Sequence, residues 1–173
     1  MSEVLGSVTG QIVTSLSAEV ETNATIRELI IRQIMARLET IRTAAGYNTD
    51  IGSNVQRVRR SLDPNELPGC VLWPLPEVAE QLYGKARCSM PVKVTVFAEF
   101  GSANPSVVSE KILGDLIKCL ASPSWIRDPE YMSDLAYSGG GSDEYPDEGE
   151  AVVGTHADFT VVYETENGDP YSQ

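Results

Sequence analysis

Few side chains in this 173-residue chain could do chemistry. They are one histidine (His156), three cysteines (Cys70, Cys88 and Cys119) and a glycine-rich acidic stretch over 139–150. A Ser-His-Asp or Cys-His site would have to use His156, which falls on the opposite parity from Phe159, Val161 and Tyr163 in an alternating run. It therefore points away from the face those residues share. No G-x-S-x-G elbow is present, and no cysteine sits in a nucleophile context. The cysteines are odd in number and widely spaced, with no C-x-x-C pair for a thiolate zinc site. They read as buried free thiols in a reducing cytoplasm.

Gly139-Gly140-Gly141 invites a phosphate-loop reading, but such a loop needs Gly-Lys-Ser/Thr opening a helix. Here Ser142-Asp143-Glu144 follows, and carboxylates repel phosphate. Asp143, Glu144, Asp147, Glu148 and Glu150 lack the spacing of a calcium-binding EF-hand loop. The expectation is no catalytic residue, no cofactor site and no metal site: a non-enzymatic chain.

Charge is the stronger signal. The formal net charge is −12, which argues against recognition of nucleic acid or of an anionic membrane surface. The charge is also split along the chain. Residues 22–62 hold seven arginines against three acids, whereas residues 128–173 hold twelve acids and no Lys or Arg. Two unlike flanks suit head-to-tail contacts between copies, which close into a ring if the rotation allows. Arg57, Arg59 and Arg60 are the candidate positive flank; Asp143, Glu144, Asp147 and Glu148 are the candidate negative one. The blander reading is exposed charge on an edge strand, which deters aggregation.

The elements that must position these groups follow from periodicity. Residues 1–21, with Val4, Val8, Ile12, Leu16 and Val20 four apart, read either as an N-terminal arm that packs on something, such as a neighbouring subunit, or as a floppy terminus. The arm has neither the positive start nor the apolar run of a secretory signal, and no window is apolar enough to span a membrane.

Residues 24–44 read as a helix whose stripe is Ile26, Leu29, Ile30, Ile34, Leu38 and Ile41, capped by Thr25 or Asn23 and ended by Gly46. Strands are expected over Ser53–Leu62 and Gly69–Pro74. Val78–Tyr83 is ambiguous between a helical turn and the first arm of a hairpin turning at 83–86. Pro91–Phe100 alternates most clearly, Val92, Val94 and Val96 against Lys93, Thr95 and Phe97. Asn104 and Pro105 open a second helix that runs to about Ala121. Trp125–Leu135 reads as an irregular or short helical linker, Asp134–Gly139 as a strand, Gly139–Glu150 as a loop and Ala151–Thr165 as a long final strand. The order implies a single α+β domain over 22–165, with two main helices on one face of a mostly antiparallel sheet and a polar C-terminal tail over 166–173.

Taken together, these features resemble the tail terminator family of long-tailed bacteriophages. The resemblance is one of order and spacing over roughly residues 24–165: an N-terminal amphipathic helix, the apolar strand Pro68–Pro74 and the alternating strand Pro91–Phe100. A second helix follows, then Ser133-Asp134-Leu135-Ala136-Tyr137-Ser138-Gly139, an acidic loop, and Ala157-Asp158-Phe159-Thr160-Val161-Val162-Tyr163-Glu164 near the end, with Asp169-Pro170-Tyr171 after it. The arm and the arginine strand at 55–60 have no counterpart in that pattern.

The resemblance implies a homohexameric ring that caps the tail tube, stops its polymerisation and offers a surface for head joining. Its partners would be its own copies, the tail tube protein and a head–tail connector or neck protein, with no cofactor. The protein would be made in the host cytoplasm and end in the virion, at the head-proximal end of the tail. The alternatives are a connector or tail-completion protein and, from another class, a small enzyme or ligand-binding α+β domain.

Overall fold

The computed structural model describes residues 24–60, 62–122, 131–143, 146 and 150–173. The described residues fold as an α+β domain of two α-helices and a six-stranded, mostly antiparallel sheet. The strands are β1 (Val55–Arg57), β2 (Gly69–Pro74), β3 (Val78–Gln81), β4 (Lys85–Glu99), β5 (Asp134–Ser142) and β6 (Val152–Glu166). The helices are α1 (Ile26–Leu38) and α2 (Pro105–Leu120). The sheet order is β1-β2-β4-β6-β5, and β3 pairs with the first part of β4, on the edge that β2 occupies further along. Only the β1–β2 pair is parallel.

The two long strands form the spine. β4 and β6 pair antiparallel from Lys85↔Glu166 to Glu99↔Val152. Strict alternation sends Met90, Val92, Val94 and Val96 of β4, and Ala157, Phe159, Val161 and Tyr163 of β6, to one face, where each is almost fully buried. Both helices lay their stripes on that face. From α1 come Ile26, Ile30, Ile31, Ile34 and Leu38; from α2 come Ile112, Leu116, Cys119 and Leu120. Each such Ile or Leu contributes roughly 1.5–3 kcal/mol of burial.

Helix boundaries follow local chemistry. Thr25 caps α1 by accepting the Glu28 N–H at 3.1 Å. The competing cap, Asn23, and the arm lie outside the described residues, as does most of the linker at 125–135. α1 ends at Leu38, well before the expected residue 44, because the turn at Ile51–Ser53 packs against its last carbonyls. A Cβ on Gly52 would lie 2.4 Å from the Leu38 carbonyl oxygen, so only glycine permits this approach. Gly46 still takes the left-handed conformation (φ +83°), but it closes the short 3₁₀ turn Thr43–Ala45 instead of the helix. α2 begins as its sequence predicts, with the Asn104 side chain accepting from the Ser106 N–H at 2.9 Å.

Other expectations shift. The arginine strand shrinks to three residues, because Val58 adopts a positive φ of 52° and the chain then turns through Pro64–Glu66. The ambiguous 78–83 segment is a hairpin arm, with its turn at Leu82–Lys85. The glycine run is not loop but the second half of β5. A Cβ on Gly140 would meet the His156 carbonyl oxygen at 2.5 Å and the Leu113 side chain at 3.0 Å. Absence of side chains there lets β5 pass between β6 and α2. The polar tail is also docked: Pro170 accepts the Ile26 N–H at 2.9 Å, and the Gln173 side chain donates to the Tyr131 carbonyl at 2.7 Å.

Candidate interaction surfaces

Two of the three candidate arginines pair with carboxylates of the same chain. Arg57 lies 2.6 Å from Glu28 on α1. Burial raises the Glu28 carboxyl, but Arg57 and Arg32 outweigh it and hold the group below its ordinary value. Arg59 bonds Glu66 at 2.7 Å and Asp63 at 3.3 Å, and Glu66 in turn accepts the Asp63 backbone N–H at 2.7 Å. That backbone bond, then Arg59, lowers the Glu66 carboxyl. Two of the three arginines are thus committed within the chain. Arg60 is exposed and meets no carboxylate among the described residues. On the acidic side, Asp143 contacts His156 and Lys93, while Glu144, Asp147 and Glu148 lie outside the described residues.

His156 does face away from the core, on the sheet face that the two helices leave uncovered. Its Nδ1 lies 2.5 Å from an Asp143 oxygen, though not aligned as a hydrogen bond, and its Nε2 lies 3.7 Å from Asp158. Lys93 reaches the same Asp143 oxygen at 3.8 Å. The group brings Lys93 and His156 beside Asp143 and Asp158 across β4, β6 and the end of β5, which suits fixing strands to one another. Among the described residues, no group of three or more His, Cys, Asp or Glu is placed to hold a metal ion.

Beside this cluster the uncovered face dips into a groove of about 350 Å³ lined by Arg60, Trp73, Leu75, Lys93, Thr95 and Phe97. Alternation puts Trp73 opposite Lys93 across the β2–β4 pair, with Phe97 two residues beyond Thr95 on β4. The walls are largely aromatic and apolar, and the cations are Arg60 and Lys93.

The second surface is the β3–β4 hairpin. All four β3 residues are exposed, Val78 by 74%. Tyr83 stands fully in solvent at the tip, with Leu82 partly exposed beside it. Gly84 turns the chain there at φ +81°. The base of the hairpin is fixed. Tyr163, whose hydroxyl is pushed up by burial and then by Glu77, donates to Glu77 at 2.5 Å, and Arg27 of α1 sits 3.7 Å from the same carboxylate. No strand among the described residues pairs with the outer edge of β3, nor with that of β5 at the far side of the sheet.

Sequence reasoning offered the hairpin as one of two readings of 78–83 but did not single it out as a surface, because Val78-Ala79-Glu80-Gln81 has neither helical nor strict alternating period. The groove had a signal: Trp73 and Phe97 sit at positions whose parity opposes the core valines. In comparison with known proteins, no family model and no curated protein matches the chain.

No helix of the described residues is long and apolar enough to cross a membrane.

Proposed function

We propose that this chain is a structural subunit of a phage tail, a tail terminator that assembles into a ring, caps the tail tube and presents its other side to the neck. One observation carries the reading: among the described residues, opposite sides of the sheet carry unlike unpaired edges, an exposed hairpin strand at β3 on one side and a glycine-rich strand at β5 on the other. A fold that leaves strand edges and a bare Val78/Leu82/Tyr83 tip in solvent courts aggregation unless a partner covers them. Unlike surfaces at opposite sides of a subunit pair head to tail, and a constant rotation closes them into a ring. The order of elements shared with the terminator family supports the choice of ring. The ring would form from its own copies, contact the tube protein on one side and a neck protein on the other, and reside at the head-proximal end of the tail.

The test is to add labelled protein to a polymerising tail tube protein and follow tube length and end decoration by negative-stain imaging. The reading expects label at one end only and tubes that stop growing. Unchanged elongation with no bound label would sink it.

A further inference from the structure

We propose that His156 is a proton-operated clasp that fastens the glycine-rich end of β5 to the spine of the sheet. Little else holds that end. Gly139, Gly140 and Gly141 bring no side chain to either face, and the pairing with β6 is irregular between Tyr137 and Gly139. Past Ser142 one backbone bond continues the ladder, from the Asp143 N–H to the Gly154 carbonyl at 3.1 Å. The Asp143 carboxylate then reaches along β6 to His156.

The ring is held between two carboxylates. Its Nδ1 is sealed from water beside Asp143, and its Nε2 faces Asp158, two residues on in the same strand. A neutral imidazole has one N–H and one lone pair, so one of the two carboxylates always meets a lone pair. Imidazolium presents a proton and positive charge to both. Histidine is the side chain that changes charge between about pH 5 and 8. Among the described residues, the other charges on this side of the sheet near the ring are cations. Lys93 of β4 lies 3.8 Å from the same Asp143 oxygen, and Arg60 lines the groove beside it. Thr95 and Gly141, directly opposite His156 on β4 and β5, are uncharged. Once the ring is neutral, Lys93 alone attracts Asp143, from a greater distance than His156 does. The sign follows from these partners: protonation closes the clasp, so the end of β5 is fastened at the acid end of the range and loosens as pH rises.

The test is amide hydrogen exchange in the full chain, with each rate divided by the intrinsic rate at the same pH. Between about pH 5.5 and about pH 8, protection of the Asp143 amide relative to the core amide of Val94 should fall about two- to fivefold in wild type, the range of a half-exposed ion pair. In His156→Gln, which keeps a donor but cannot take up the charge, that protection should be low and level across the same range. Level protection in wild type would overturn the proposal, and so would an equal fall in His156→Gln.

Discussion

The middle of the sheet and the β3–β4 hairpin share one continuous strand, β4, yet they live under opposite rules. From Met90 to Val96 every second residue is almost fully buried under two helices. Ten residues earlier in the chain, β3 buries none of its four residues and its tip holds a fully exposed tyrosine. Apolar residues in the first region stabilise the fold. In the second they cost nothing to remove from the folded monomer and gain value only when another surface meets them. Apolar content alone does not separate the two; backing by a helix does.

Substitutions should divide along that line. The largest expected effect is in the centre. Leu116→Ala empties a fully buried site under the sheet and should lower unfolding stability by about 2–5 kcal/mol in denaturant melts. A mutant within 0.5 kcal/mol of wild type, on the order of a surface change, would break the comparison.

Next is Asp115, a fully buried carboxylate on α2. It accepts from the Asn48 backbone N–H at 2.9 Å, the Asn48 side chain at 2.9 Å and the Thr49 hydroxyl at 2.7 Å, tying the loop after α1 to the second helix. Asp115→Ala leaves these donors without an acceptor and should cost about 1–3 kcal/mol. Amide exchange at Asn48 should rise with it; unchanged protection would remove Asp115 from that role.

The smallest effect is electrostatic. The folded-state value of Glu28 is lowered below its ordinary 4.5 because Arg57 and Arg32 outweigh burial. Its contribution is therefore complete above 4.5 and is lost as pH falls through the lower folded value. Arg57→Ala should remove part of that acid dependence, by less than about 1 kcal/mol. Identical pH–stability curves for the two proteins would show the pair to be inert.

Much of the centre was legible in the sequence. The β4 valines alternate, Asn104-Pro105 marks the start of α2, and both helices carry apolar stripes. The parity argument also placed His156 on the correct face. What was not legible depended on partners distant in sequence. Gly52 shortens α1 from fourteen residues beyond its end, and Gly140 must be glycine in β5 because His156 and Leu113 leave no room for a side chain. Nothing in the period of α2 marks Asp115 as buried; its donors come from the distant loop at 48–49. The arginines at 57 and 59 read as a flank because their carboxylate partners, Glu28, Asp63 and Glu66, bear no helical or strand period relation to both of them. Sequence periodicity reports which face an element buries. It does not report which residue crosses over to meet a charge.

The hairpin carries the central claim, so the decisive comparison is between wild type and Val78→Asp/Tyr83→Asp on purified tail tubes. Both side chains are exposed, and the double variant should match wild type in stability to within about 0.5 kcal/mol. Imaging of tube ends should then show the wild-type chain as a cap on one end and the variant absent. A folded variant that caps tubes as wild type does would contradict the account of the hairpin as an assembly surface.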